Sequence, residues 1–151
     1  MNEYESLRKR QSSQGEKTYE LPDLEELPKT KNILILEDDV AFAIPLKETL
    51  ESQGYHVVVV SNGAEGLKRI LDTEFEIILC DMVMPNFPGD MFYQAVQRVR
   101  PNFCQRFIFM TGHQGDRKIE EFIRRVRGLI LWKPFQMHVL FETIKVVSSK
   151  K

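Results

Sequence analysis

Two cysteines in 151 residues, Cys80 and Cys104, are too few and too casually spaced for a disulfide framework or a zinc site. No apolar run approaches the roughly 18 residues that a membrane helix needs. The N-terminus, MNEYESLRKRQSSQGEK, lacks the hydrophobic core of an export signal, so the expected location is the cytoplasm, away from membranes. An excess of one charge is also missing. The 21 Lys and Arg nearly balance 22 Asp and Glu, which argues against a chain built to grip nucleic acid or anionic lipid. There is no internal repeat and no low-complexity tract. What remains is an ordinary soluble composition, 42% apolar and 28% charged, enough for one packed core at this length.

Residues 1–30 differ from the rest. Charges of both signs mix with Ser, Gln and Gly, and Pro22 and Pro28 bracket a short LEEL. This composition predicts a flexible arm or linker, or a short helix that needs a partner. From Lys31 the pattern changes. Five short apolar runs read as strands: NILIL (32–36), YHVVVV (55–60), EIILC (76–80), RFIFM (106–110) and GLILW (128–132). Helix-like stretches alternate with them, over about Val40–Ser52, Ala64–Leu71, Met91–Arg100, a charged stretch ending near Val126, and a last one ending near Val147. Pro45 predicts a kink or an irregular first turn in the first helix, and Ser61-Asn62 supplies a cap for the second. Residues 148–151 are left as a tail. Strands apolar on both faces, alternating with helices, predict an α/β fold. The expected architecture is a five-stranded parallel sheet, doubly wound, with helices on both faces. Such a sheet presents its functional crevice at the carboxyl ends of the strands.

The residues at those ends carry chemistry. Strand one is followed by Glu37-Asp38-Asp39, strand three by Asp81, strand four by Thr111-Gly112 and strand five by Lys133. Singly, each has an ordinary explanation: Asp38 or Asp39 as a helix N-cap, Asp81 as a turn or cap residue, Thr-Gly as a turn, Lys-Pro as a loop. Together they form a set. Carboxylates packed at one edge repel unless a cation lies among them, and Mg²⁺ takes oxygen ligands from one or two carboxylates and a carbonyl. Lys133 and Thr111 could hold the oxygens of a phosphoryl group, with Asp81 as a metal-assisted nucleophile.

On the motifs ILILEDD, ILCDMVMPNFPGD, FIFMTGH and LWKPF, in this order and spacing, the chain from about Lys31 to Val147 resembles a response-regulator receiver domain of two-component signalling. The resemblance implies a flavodoxin-like sheet of strand order 2-1-3-4-5, and a phosphorelay protein whose Asp81 accepts a phosphoryl group from a histidine kinase or histidine phosphotransfer protein, with Mg²⁺ or Mn²⁺ as cofactor. It implies that Asp38 ligates the metal directly, Glu37 through water, and Val83 by its backbone carbonyl. Thr111 and Gly112 match the hydroxyl and small residues beside the phosphoryl group. Lys133 matches the lysine that pairs with its oxygens, and Pro134 the proline after it, with a cis peptide bond between them. The implied chemistry is self-phosphorylation and self-dephosphorylation rather than turnover of a metabolite.

Several positions depart from the family pattern. Three residues before the lysine, where switching receivers carry an aromatic ring, stands Ile130. Trp132 shares its strand face by parity and is read as a core tryptophan, with partial replacement of the missing ring as the alternative. The resemblance implies that Val83 and His113, two residues after Asp81 and Thr111, flank the path of an attacking water. Valine cannot orient water, so slow hydrolysis is expected, and His113 reads as a solvent-facing loop residue. Pro88 replaces an acidic residue often found there and stiffens the turn, and Cys80 reads as a small buried hydrophobe. Only residues 148–151 follow the expected last helix, so no output domain is expected there and DNA contact is expected to need another chain. A free-standing regulator acting on a downstream protein and the terminal receiver of a hybrid histidine kinase both fit. Three rivals are weaker. An aspartyl-phosphate hydrolase needs a second acid where Val83 stands, a binding-only pseudo-receiver should have lost the acceptor or the acidic pair, and a flavodoxin-like cofactor binder would not place three acids after strand one.

Overall fold

The computed structural model describes residues 31–149. The expected arm at 1–30 and the last two residues of the expected tail lie outside them. Five strands, β1 (Asn32–Leu36), β2 (His56–Val60), β3 (Ile77–Asp81), β4 (Phe107–Thr111) and β5 (Leu129–Trp132), form one sheet of order β2-β1-β3-β4-β5. Every pairing is parallel. Five α-helices connect and cover the strands: α1 (Val40–Ser52), α2 (Gly63–Asp72), α3 (Gly89–Val99), α4 (Arg117–Val126) and α5 (Met137–Ser149). None of them is long and apolar enough to cross a membrane.

The period of two sorts the strand residues into two cores. Leu34, Leu36, Ile78, Cys80, Phe107 and Phe109 face α2, α3 and α4, meeting Ile70, Phe92, Tyr93, Val96, Ile119 and Phe122. Ile33, Ile35, Ile77, Leu79, Ile108, Met110 and Leu131 face α1 and α5, meeting Leu46, Leu50, Leu140, Ile144 and Val147. At about 1.5–3 kcal/mol for each large apolar side chain buried, these two faces dominate the favourable side of folding. The first is aromatic: Tyr93 makes edge contacts with Phe107 and Phe122, at centroid distances of 5.0 and 5.6 Å.

Local chemistry sets the boundaries. Asp39 caps α1 by accepting from the Ala41 N–H at 3.1 Å, Asn62 caps α2 through Glu65, and Asp116 caps α4 through Lys118 and Ile119. Helix α1 continues through Pro45. The stretch Pro101–Arg106, which runs from the end of the expected third helix into the expected fourth strand, forms a 3-10 helix that buries Phe103. Ser148 and Ser149 belong to α5 rather than to a tail. Trp132 is the largest correction. It is half-buried and belongs to neither core, lining with Ile130, Ile123, Glu120 and Arg124 a shallow groove between β5 and α4. β5 is an edge strand, and α4 leaves the end of its outer flank open.

Candidate functional site

Parallel pairing aligns the carboxyl ends of the strands, and it brings the acidic residues together. Glu37 follows β1 with its N–H donated to the Val60 carbonyl at 3.0 Å. Asp81 is the last residue of β3 rather than the first after it, and Thr111 closes β4. The Lys133 N–H bonds the Thr111 carbonyl at 2.8 Å. Lys133 reaches back across the edge, its ammonium donating to Glu37 Oε1 and to Asp81 Oδ2, the latter at 3.3 Å. A carboxylate oxygen from each of Glu37, Asp38 and Asp81 lies within 4.8 Å of the others.

The pocket is graded in exposure. Glu37 is 1% exposed and Asp81 6%, whereas Asp38 faces solvent. Burial drives the Glu37 carboxyl up to about 7; the adjoining Asp81 adds to the rise and Lys133 partly offsets it. Glu37 Oε2 is buried with no hydrogen-bond partner, an expensive arrangement for a carboxylate oxygen. A hard divalent cation would answer both features, since it needs oxygen donors and supplies positive charge. The donor set therefore fits such an ion.

The other expected residues fall around this pocket with varied support. Asp81 Oδ1 accepts the Val83 N–H at 3.1 Å, so Val83 is tied to the acid while its side chain stays 46% exposed. Thr111 is fully buried, and its Oγ accepts the His113 N–H at 3.0 Å. His113 itself is exposed, as read from the sequence. Gly112 is also exposed, and a Cβ there would meet nothing within 4 Å. The Lys133–Pro134 bond is cis. Cys80 is fully buried, and burial pushes its thiol well up, so it behaves as a hydrophobe. Ile130 packs beside the aromatic core from its half-buried position. Pro88 stands at the N-cap of α3 and offers no side-chain cap.

Two contributors escaped the sequence reading. A Cβ on Gly89 would lie 2.6 Å from the Asp81 carbonyl oxygen and 2.9 Å from Met82 Cα. Only glycine lets α3 start this close to the acid. Phe42, on α1, places its ring 4.4 Å from the Lys133 ammonium and meets Phe135 edge-on at 5.7 Å, a cation–π contact that bounds the lysine from above. Gly89 carried a weak signal, a glycine eight residues after Asp81 beside a proline. Phe42 carried none.

Residues 33–145 match the response regulator receiver domain model. The chain belongs to the response regulator receiver family. It is 30% identical over 115 residues to the response regulator receiver protein CpdR of Brucella abortus, covering 76% of this chain and 94% of that protein. It is 27% identical over 128 residues to the sensor kinase CckA of the same organism, covering 83% of this chain but 13% of the kinase. Among solved structures, a CheY-like receiver domain protein from Methanospirillum hungatei superposes with a TM-score of 0.73 at 27% identity, covering 81% of this chain and 96% of the other. The receiver described here is thus a signalling module of two-component systems, with the five-stranded parallel architecture expected from its sequence.

Proposed function

We propose that this receiver accepts a phosphoryl group on Asp81, with Mg²⁺ or Mn²⁺ held by Glu37, Asp38, Asp81 and the Val83 carbonyl, and relays the signal by changing conformation. The observation that carries the reading is a nearly buried acid, Asp81, sharing one lysine with a second buried acid whose other oxygen is unpartnered. The donor is a phosphohistidine of a kinase or phosphotransfer protein. A carboxylate oxygen of Asp81 attacks phosphorus as the phosphorus–nitrogen bond breaks, and the departing imidazole keeps that electron pair and takes up a proton. The cation, when bound, neutralises charge on the acids and on the transferring oxygens.

The chain's own residues supply positioning. The Val83 N–H fixes Asp81 Oδ1, so the carboxylate cannot rotate freely. Lys133 is already aimed at Oδ2 and is free to follow the new negative charge onto the phosphoryl oxygens. Thr111 gives a hydroxyl at the same edge once its Oγ is released from the His113 N–H. Neither the apolar Val83 nor the exposed His113 holds an attacking water, so the acyl phosphate persists. The reaction ends at modification of Asp81 and its slow loss; no metabolite is turned over. Similarity to both CpdR and CckA suits either a free-standing regulator or a receiver within a longer kinase, and the donor chemistry is the same in both.

Intact-mass measurement after incubation with Mg²⁺ and acetyl phosphate tests this. The expected result is a gain of one phosphoryl group in the wild type, abolished by chelator and by Asp81→Asn. A folded wild-type protein that gains no mass from acetyl phosphate or from a phosphohistidine donor would overturn it.

A further inference from the structure

The amino-terminal edge of the sheet, opposite the acidic pocket, carries a cavity that phosphoryl chemistry does not use. A space of about 470 Å³ opens there between α3, the 3-10 helix and the end of α4. Its walls are Tyr93, Phe107, Phe109, Val126 and Leu129, with Cys104 at its side and Arg127 at its mouth. It adjoins a groove of about 740 Å³ along the outside of α3 and α4, which shares Tyr93 and Val126 and is flanked by Arg98 and Arg125. Arg98, Arg125 and Arg127 are exposed, and among the described residues no carboxylate lies within ion-pair distance of any of them. The surface is thus a hollow backed by buried aromatic rings and ringed by unpaired guanidinium groups.

The complementary chemistry lies in this chain, outside the described residues. Tyr19–Leu27, YELPDLEEL, has four acids, Glu20, Asp23, Glu25 and Glu26, and no base. Interleaved with and following the acids are Leu21, Leu24 and Leu27, three residues apart. We infer that this segment docks in the cavity, its leucines against Val126, Leu129 and the exposed margin of Tyr93 and its acids against Arg98, Arg125 and Arg127.

Reach permits this. Lys31 is fixed at the same edge of the sheet, its carbonyl accepting the His56 N–H at 2.9 Å. The cavity lies over β4 and β5, two and three strands from β1, or roughly 10–14 Å at ~4.8 Å per strand. Leu27 precedes Lys31 by four residues and Leu24 by seven, spans of up to about 13 and 23 Å of extended chain. Both lie within range, so no long closure is needed. Arginine suits the role, because its planar fork binds carboxylates while its face rests on apolar surface, as Arg125 already does 5.8 Å from the Phe122 ring.

The two native cysteines give the test in the full chain. Cys104 is half-buried at the cavity wall, and Cys80 is sealed in the core. A segment docked about nine-tenths of the time slows alkylation of Cys104 roughly tenfold, because only the open fraction reacts. Iodoacetamide labelling followed by peptide mass analysis reads both thiols. The expected result is several-fold faster labelling of Cys104 in the variant Glu20→Lys, Asp23→Lys, Glu25→Lys, Glu26→Lys, with Cys80 unchanged. Adding Arg98→Glu, Arg125→Glu and Arg127→Glu to that variant should restore protection. Equal Cys104 rates in the wild type and the four-lysine variant would overturn the inference. Protection that fades on dilution would overturn it too, assigning the groove to a second copy. The readout needs no Mg²⁺ or phosphodonor, so it stands apart from the phosphoryl reading.

Discussion

Glutamate sits at both ends of this sheet in opposite circumstances. At the amino edge, Glu74 receives Arg100 at 2.7 Å and Arg106 at 2.8 Å, one on each carboxylate oxygen. Both guanidinium groups lie over the Phe103 ring, at 4.0 and 4.5 Å, and donate further to the Ile70 and Phe75 carbonyls. The Arg106 hydrogen bond, with Arg100 assisting, holds the Glu74 carboxyl below its ordinary value. At the carboxyl edge, Glu37 is buried, shares one lysine with Asp81, and keeps an oxygen with no partner. The same side chain is a satisfied brace at one end and an unsatisfied group at the other. An unsatisfied group, kept at a cost to the stability of the unliganded fold, is the ground for the proposal that function sits at this edge.

The sharpest way to break this contrast is to disturb the backbone beneath the unsatisfied edge. Gly89→Ala would drive a Cβ into the Asp81 carbonyl and Met82 Cα, both main-chain atoms with no rotamer to yield. The expected cost is about 2–3 kcal/mol, read from urea unfolding, with loss of phosphoryl incorporation in whatever folded protein remains. A Gly89→Ala protein with wild-type stability would show that α3 can move away from the site.

A second, smaller effect separates stability from binding. Glu37→Gln removes a buried charge, so without divalent cation the variant should match or exceed the wild type in urea midpoint. Wild-type protein should gain about 1.4 kcal/mol at a Mg²⁺ concentration ten times its dissociation constant, and Glu37→Gln should gain clearly less under the same conditions. Equal gains would remove Glu37 from the metal site.

The amino edge should respond least. Glu74 has a lowered pKa, so its pairing stabilises the fold above the ordinary value of 4.5 and is lost as the pH falls below it. Its side chain is 56% exposed, and solvent screening keeps the effect of Glu74→Gln under about 1 kcal/mol at pH 7. The difference between variant and wild type should shrink as the pH falls through the lowered carboxyl value. A difference that persisted once the carboxyl is protonated would mean that shape, not charge, makes the brace.

The contrast also explains what could be read in advance. Glu37, Asp38, Asp81, Thr111 and Lys133 were legible as a group because parallel strands must align their ends, so residues spread over 97 positions meet at one edge. Alternation located Ile130 and Trp132 on one face correctly, but periodicity reports a face and not its cover. Trp132 was misjudged because its strand is at the edge. The burial of Glu37 against the exposure of Asp38 was equally invisible, since neighbours in sequence diverge once β1 ends. Gly89 and Phe42 act through space on Asp81 and Lys133, and no spacing rule links them. The 3-10 helix at Pro101–Arg106 is too short to carry a periodic pattern, although Phe103 is buried within it.

The central claim, that the unsatisfied edge is where covalent chemistry occurs and that Asp81 is its target, is tested most directly by locating the bond. Protein treated with acetyl phosphate and Mg²⁺, reduced with borohydride and digested, should yield one peptide in which Asp81 has been converted to homoserine. Conversion at Asp38 or Glu37 instead, or a stable phosphoryl group on His113, would contradict it.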